Sequence, residues 1–187
     1  MSIDYERSSE LISPNEAILV VVDVQQKLLP HIFNQATVES NVGRLIDGAA
    51  AFGIPVIATE QYPKGLGPTV DSLCERLPDR IEKITFSCVN CEDFRTQLTA
   101  AGRRKVLVCG IESHICVLQT ALDLLSDGYA VFTVLDAIGA RQESDHDTAI
   151  RRLESCGVIP TTTEMVLFEW CEKAGTETFK AIQKLVI

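Results

Sequence analysis

The sequence predicts an α/β fold, a doubly wound, mainly parallel sheet of six strands with helices on both faces. Three observations predict it. Four apolar runs rich in β-branched residues are near-continuous rather than alternating, the pattern of strands buried on both faces of a parallel sheet. Between them lie segments whose apolar residues recur every three or four positions. A glycine separates helix from following strand at Gly53, Gly102, Gly128 and Gly157, and such short links imply right-handed βαβ crossovers.

The first strand is Ala17–Asp23 (AILVVVD). A helix follows over Val38–Phe52, where Val38, Val42, Leu45, Ile46 and Ala49 share one face and Gly53 stops it. Pro55–Glu60 (PVIATE) is the second strand. Tyr62–Asp79 is the longest irregular stretch, a loop within the domain that serves as a lid or covers a sheet edge. Glu82–Phe86 is a short third strand. Cys91–Ala101 reads as a helix capped by Asn90 and stopped at Gly102. Lys105–Gly110 (KVLVCG) is the fourth strand, Ser113–Asp127 a helix, Ala130–Asp136 (AVFTVLD) the fifth strand and Asp145–Cys156 another helix. Val158–Thr161 completes the sheet. The tail Glu164–Ile187 is amphipathic, suited to pack on the sheet or on a partner subunit. No linker divides the chain, so residues 1–187 are read as one domain with strand order 3-2-1-4-5-6.

Composition narrows the function. The net charge of −9 argues against nucleic acid, whose phosphates call for clustered Lys and Arg. No run of about 18 apolar residues suggests a membrane span. The opening MSIDYERSSELI carries acids and no apolar leader, and the seven cysteines are an odd number. Reduced thiols in a cytoplasmic setting are therefore expected.

In doubly wound sheets, ligands bind beyond the carboxyl ends of the strands where the order reverses. Here that crevice falls between the ends of the first and fourth strands. Asp23 ends the first, and Ile111–Cys116 leads away from the fourth. In the first turn of a helix, Cys116 would meet free N–H groups that favour a thiolate and receive an oxyanion. The plain alternative is a small apolar residue packed on the sheet. Asp23 either takes a proton beside such a thiol or caps a helix through Gln25–Leu29. Lys83, in RIEKITFS, is either a solvated edge charge or a cation in the crevice that holds Asp23 ionised. The spacing does not fix its direction.

Three segments carry a resemblance. VVDVQ at Val21–Gln25, EK at Glu82–Lys83 and GIESHICV at Gly110–Val117 resemble the three motif regions of isochorismatase-like cysteine hydrolases, each at a strand end and in the right order. TEQYPKGLGPTV at Thr59–Val70 is similar to the small isochorismatase domain-containing subgroup. The resemblance implies an Asp23–Lys83–Cys116 triad and a non-proline cis peptide between Ile111 and Glu112. It also implies an oxyanion site made by the N–H groups of Glu112 and Cys116. It further implies a homo-oligomer acting on a small-molecule substrate without a cofactor. The nicotinamidase branch holds a metal through an Asp and two His. Glu60–Val70 has neither Asp nor His, so no metal site is expected. A cysteine nucleophile leans toward C–N hydrolysis of an amide or carbamoyl group. Leu28, Phe33 and Tyr62 are candidate pocket residues.

Other signals point elsewhere. Cys88-x-x-Cys91 has redox-dithiol spacing, a rival to packing residues near Lys83. Lys64-Gly-Leu-Gly lacks the P-loop pattern. His114 is read as facing an interface or solvent. A catalytically silent scaffold is the third alternative.

Overall fold

A computed structural model describes residues 6–187. The first five residues, part of the N-terminal segment read as having no leader, lie outside the described residues. The strands are β1 (Ala17–Val22), β2 (Val56–Gln61), β3 (Ile81–Lys83), β4 (Lys105–Ile111), β5 (Ala130–Gly139) and β6 (Ile159–Thr161). All pairings are parallel, in the order β3-β2-β1-β4-β5-β6.

The continuous apolar runs have a simple cause. Strand side chains alternate between faces, and both faces of this sheet are covered. Ala17, Leu19 and Val21 of β1 join one buried cluster with Val38, Val42 and Trp170. Ile18, Val20 and Val22 join the other with Phe94, Ala121 and Leu124. The first face is covered by α1 (Gln35–Phe52), α7 (Thr163–Cys171) and α8 (Glu177–Val186). The second lies under α4 (Glu92–Ala101), α5 (Leu118–Ser126) and α6 (Glu143–Ser155). The amphipathic tail thus packs on this chain's own helices, with Ile182 fully buried.

Several local expectations are corrected. The third strand ends at Lys83, and Ile84 beyond it is exposed. Asn90 does not cap α4. Cys91 occupies the cap position without a side-chain bond, while Ser87 accepts the Val89 N–H and caps the short 3₁₀ turn Cys88–Asn90. Gln25–Leu29 does not form a helix, which removes the capping alternative for Asp23, and Asp23 itself is left-handed at φ 52°. The Tyr62–Asp79 loop contains two single-turn helices, α2 (Pro63–Leu66) and α3 (Asp71–Cys74).

The helix expected over Ser113–Asp127 begins instead with a π-helical turn, Ser113–Val117, before α5. Just upstream, the Ile111–Glu112 peptide is cis. Gly110 is required there. Its φ is 107°, and a Cβ would lie 2.1 Å from the Val22 carbonyl oxygen. Only glycine lets β4 come this close to β1.

Candidate active site

Asp23, Lys83 and Cys116 are all buried. The Lys83 ammonium donates to Asp23 Oδ2 at 2.7 Å, and neither side chain is exposed. Its other bonds go to Gln61 Oε1 at 2.7 Å and to the carbonyls of Thr85 and Phe86, each at 3.2 Å. Lys83 is therefore not a solvated edge charge. It reaches from β3 past the end of β2, where Gln61 and Lys83 are in register, to the end of β1. Thr59 Oγ1 donates to Asp23 Oδ1 at 2.7 Å, so each carboxylate oxygen has a donor. A buried carboxylate stays ionised only with such company.

Burial opposes the charge on Lys83. The Asp23 carboxylate beside it favours the charge, and the lysine pKa lies above its ordinary value. Cys116 behaves differently from the sequence expectation. Burial pushes its thiol up, the Asp23 charge adds to this, and Lys83 only partly offsets it. Both influences favour a neutral thiol facing the Asp23 carboxylate. The early-turn position does not by itself produce a thiolate.

Polar residues to which the sequence assigned no individual role complete the arrangement. Gln25 donates to the carbonyls of Gln61 (3.0 Å) and Gly67 (2.6 Å) and accepts the Gln61 N–H at 2.7 Å. Together with Glu60, whose Oε1 accepts from both the N–H and hydroxyl of Thr69, it ties the 62–79 segment to β2. On the other wall, His146 Nδ1 lies 3.2 Å from Ser113 Oγ, and burial lowers the histidine pKa.

The candidate pocket residues separate. Leu28 packs against the core. Phe33 is 46% exposed and stacks edge-on to His146, with centroids 5.5 Å apart. Tyr62 is half exposed, left-handed, and borders a cleft of about 300 Å³ with Pro63, Lys64, Lys83 and Ile84. His114 does not face solvent. Its ring is largely buried, with Nε2 at 3.6 Å from Glu112 Oε2 and 3.9 Å from Asp145 Oδ2.

Cys88 is buried behind the triad. Its N–H donates to Thr120 Oγ1 at 2.9 Å and its sulfur lies 3.7 Å from Thr59 Oγ1. Burial and Asp23 push its thiol up to about 11, against Lys83. That is unfavourable for a redox dithiol with Cys91, and both sulfurs are free.

Known proteins share this fold. The chain is 40% identical over 176 residues to isochorismatase domain-containing protein 2 of Danio rerio, covering 94% of this chain and 89% of that one. Among solved structures it is similar to one described as MAR1 ribonuclease from Caenorhabditis elegans, at 38% identity and TM-score 0.87, covering 94% and 92% of the two chains. It is also similar to the ycaC gene product of Escherichia coli, described as an octameric hydrolase of unknown specificity, at 26% identity and TM-score 0.88, covering 96% and 91%. Residues 17–165 match the family described as Isochorismatase domain, and with these relatives the match shows that the chain belongs to the isochorismatase-like family.

Proposed function

We propose that the protein is a cysteine hydrolase that cleaves a C–N bond in a small amide or carbamoyl compound. The observation that carries this reading is the buried Asp23–Lys83 pair, with Cys116 beside it, where the strand order reverses.

As substrate arrives, the Cys116 sulfur attacks the carbonyl carbon and its proton passes to Asp23. A C–S bond forms, and the N–H groups of Glu112 and Cys116 hold the oxyanion. Collapse breaks the C–N bond, and Asp23 returns the proton to the leaving ammonia or amine. Water then attacks the thioester and gives a proton to Asp23. The C–S bond breaks, an acid is released and the thiol takes the proton back. Lys83 remains charged throughout. It pairs with the Asp23 carboxylate in the resting site and offsets negative charge on sulfur.

The assembly proposed is a homo-oligomer, which the octameric relative supports. A reducing, cytoplasmic setting fits the seven free cysteines. The relative described as a ribonuclease suggests another substrate, but a net charge of −9 does not favour binding to a phosphate backbone.

The test is ammonia release from a panel of small primary amides and carbamoyl compounds, with mass spectrometry for an acyl group on Cys116. A substrate turned over by wild type is expected to lose about a thousandfold or more in Cys116→Ala. Undiminished turnover in that variant would sink the reading.

A further inference from the structure

The turn that carries Cys116 has its own support from a distant part of the chain. Ser113 opens the π-helical turn and is fully buried. Its hydroxyl meets Nδ1 of His146 on α6, 33 residues later, at 3.2 Å. The histidine is itself buried, and the edge of its ring contact is made with Phe33 from the segment after β1. The Phe33 N–H donates to the Ala140 carbonyl at 3.0 Å, which ties that segment to the approach to α6. Three stretches of chain that border the crevice therefore meet at one imidazole.

We propose that His146 is a positioning residue, which through Ser113 fixes the turn presenting the Cys116 sulfur and the oxyanion-binding N–H groups. This rests on Cys116 being the nucleophile.

The reason is geometric. The turn is short, and its Ile115 and Val117 N–H groups both converge on the Glu112 carbonyl, at 3.0 and 3.2 Å. Two bonds to one acceptor fix its distance from Glu112 more firmly than its rotation about that point. A side-chain bond at Ser113 from a separate helix supplies the missing restraint. Small errors in the placement of a reacting atom cost rate, although the group itself never touches substrate. Burial at this position would otherwise favour an apolar residue, because a polar ring away from water must have its partner.

The variants separate the hydrogen bond from packing. His146→Phe keeps a ring against Phe33 and loses the bond to Ser113. His146→Asn places an amide atom close to the position of Nδ1 and can keep the bond. Ser113→Ala removes the other partner and serves if the Phe variant fails to fold. The readout is the rate of acrylamide addition to Cys116, resolved by mass spectrometry from the other cysteines, with thermal melting alongside. Acrylamide suits the question because its addition builds negative charge on an amide oxygen.

The expected result is about tenfold slower addition at Cys116 in Ser113→Ala and His146→Phe. The double variant should be no slower than either single, and His146→Asn should stay within about twofold of wild type. Buried Cys88 and Cys109 should remain unreactive in all of them. Wild-type rates in Ser113→Ala or His146→Phe overturn the positioning role, and so does an equal loss in all three. If acrylamide in the wild type modifies Cys88 or Cys91 and spares Cys116, the nucleophile reading falls and this proposal falls with it.

Discussion

Two buried lysines stand at opposite ends of the sheet. Lys105 opens β4 at the amino end and donates to the carbonyls of Ser9 (2.6 Å) and Leu11 (2.7 Å). Its nearest anion is the half-exposed Glu16, at 3.0 Å. Lys83 closes β3 at the carboxyl end and is paired with a carboxylate that has no exposure at all. Both ammonium groups are satisfied, yet only one sits where chemistry is expected. Lys105 pins the incoming chain to the base of the sheet by neutral acceptors. Lys83 instead pairs with a carboxylate deep in the molecule and next to a thiol. Burial of a lysine therefore does not mark a site. The marker is a partner that would be unstable without it.

This contrast can be broken most severely at Lys83. Lys83→Met leaves Asp23 buried without its cation, and a loss of about 3–5 kcal/mol in urea unfolding is expected. A loss below 1 kcal/mol, on the same order as a surface pair, would mean that Asp23 takes up a proton at little cost. Gly110→Ala tests the geometry rather than the charge. Its Cβ would run into the Val22 carbonyl from a left-handed backbone, so a loss of about 2–4 kcal/mol is expected. A chain that folds with unchanged stability would show that β4 can draw away from β1. The smallest effect belongs to Lys105→Met, which removes bonds to two carbonyls and the pairing with half-exposed Glu16 and should cost about 1–2 kcal/mol. Its rate of acrylamide addition at Cys116 should match wild type. A slowed rate there would erase the distinction between the two ends.

Much of this was legible in the sequence. The apolar runs and the glycines between elements gave the strand order, because burial on both faces and short crossovers leave few other arrangements. Asp23 and Cys116 were legible from where their segments end. The direction of Lys83 was not, because β3 is only three residues long and lies two strands from β1. Its path is set by Gln61, whose place in register with Lys83 appears only when the strands pair. Thr59 and Gln61 lie in the segment that carried the subgroup resemblance, but neither was given a role of its own. The π-helical turn was hidden for a similar reason. Its residues suit an α-helix, and the side chain that meets it, His146, comes from elsewhere in the chain. His146 shares a helix face with Ala149 and Leu153, but its immediate neighbours are mostly exposed and charged, so the sequence alone did not single it out.

The Gln25 side chain has a consequence for the path of ligands. It holds the Gly67 carbonyl of the 62–79 segment with the same amide that grips the Gln61 backbone, and the Gln61 side chain in turn holds Lys83. Segment and ammonium are thus linked like a latch and its bolt. A molecule that entered by raising the 62–79 segment would have to strain a chain of buried bonds ending at the site's own cation. Entry past Phe33, which is partly exposed and outside that chain of bonds, disturbs none of them. The tether thereby makes the 62–79 segment a fixed wall of the crevice rather than a free flap.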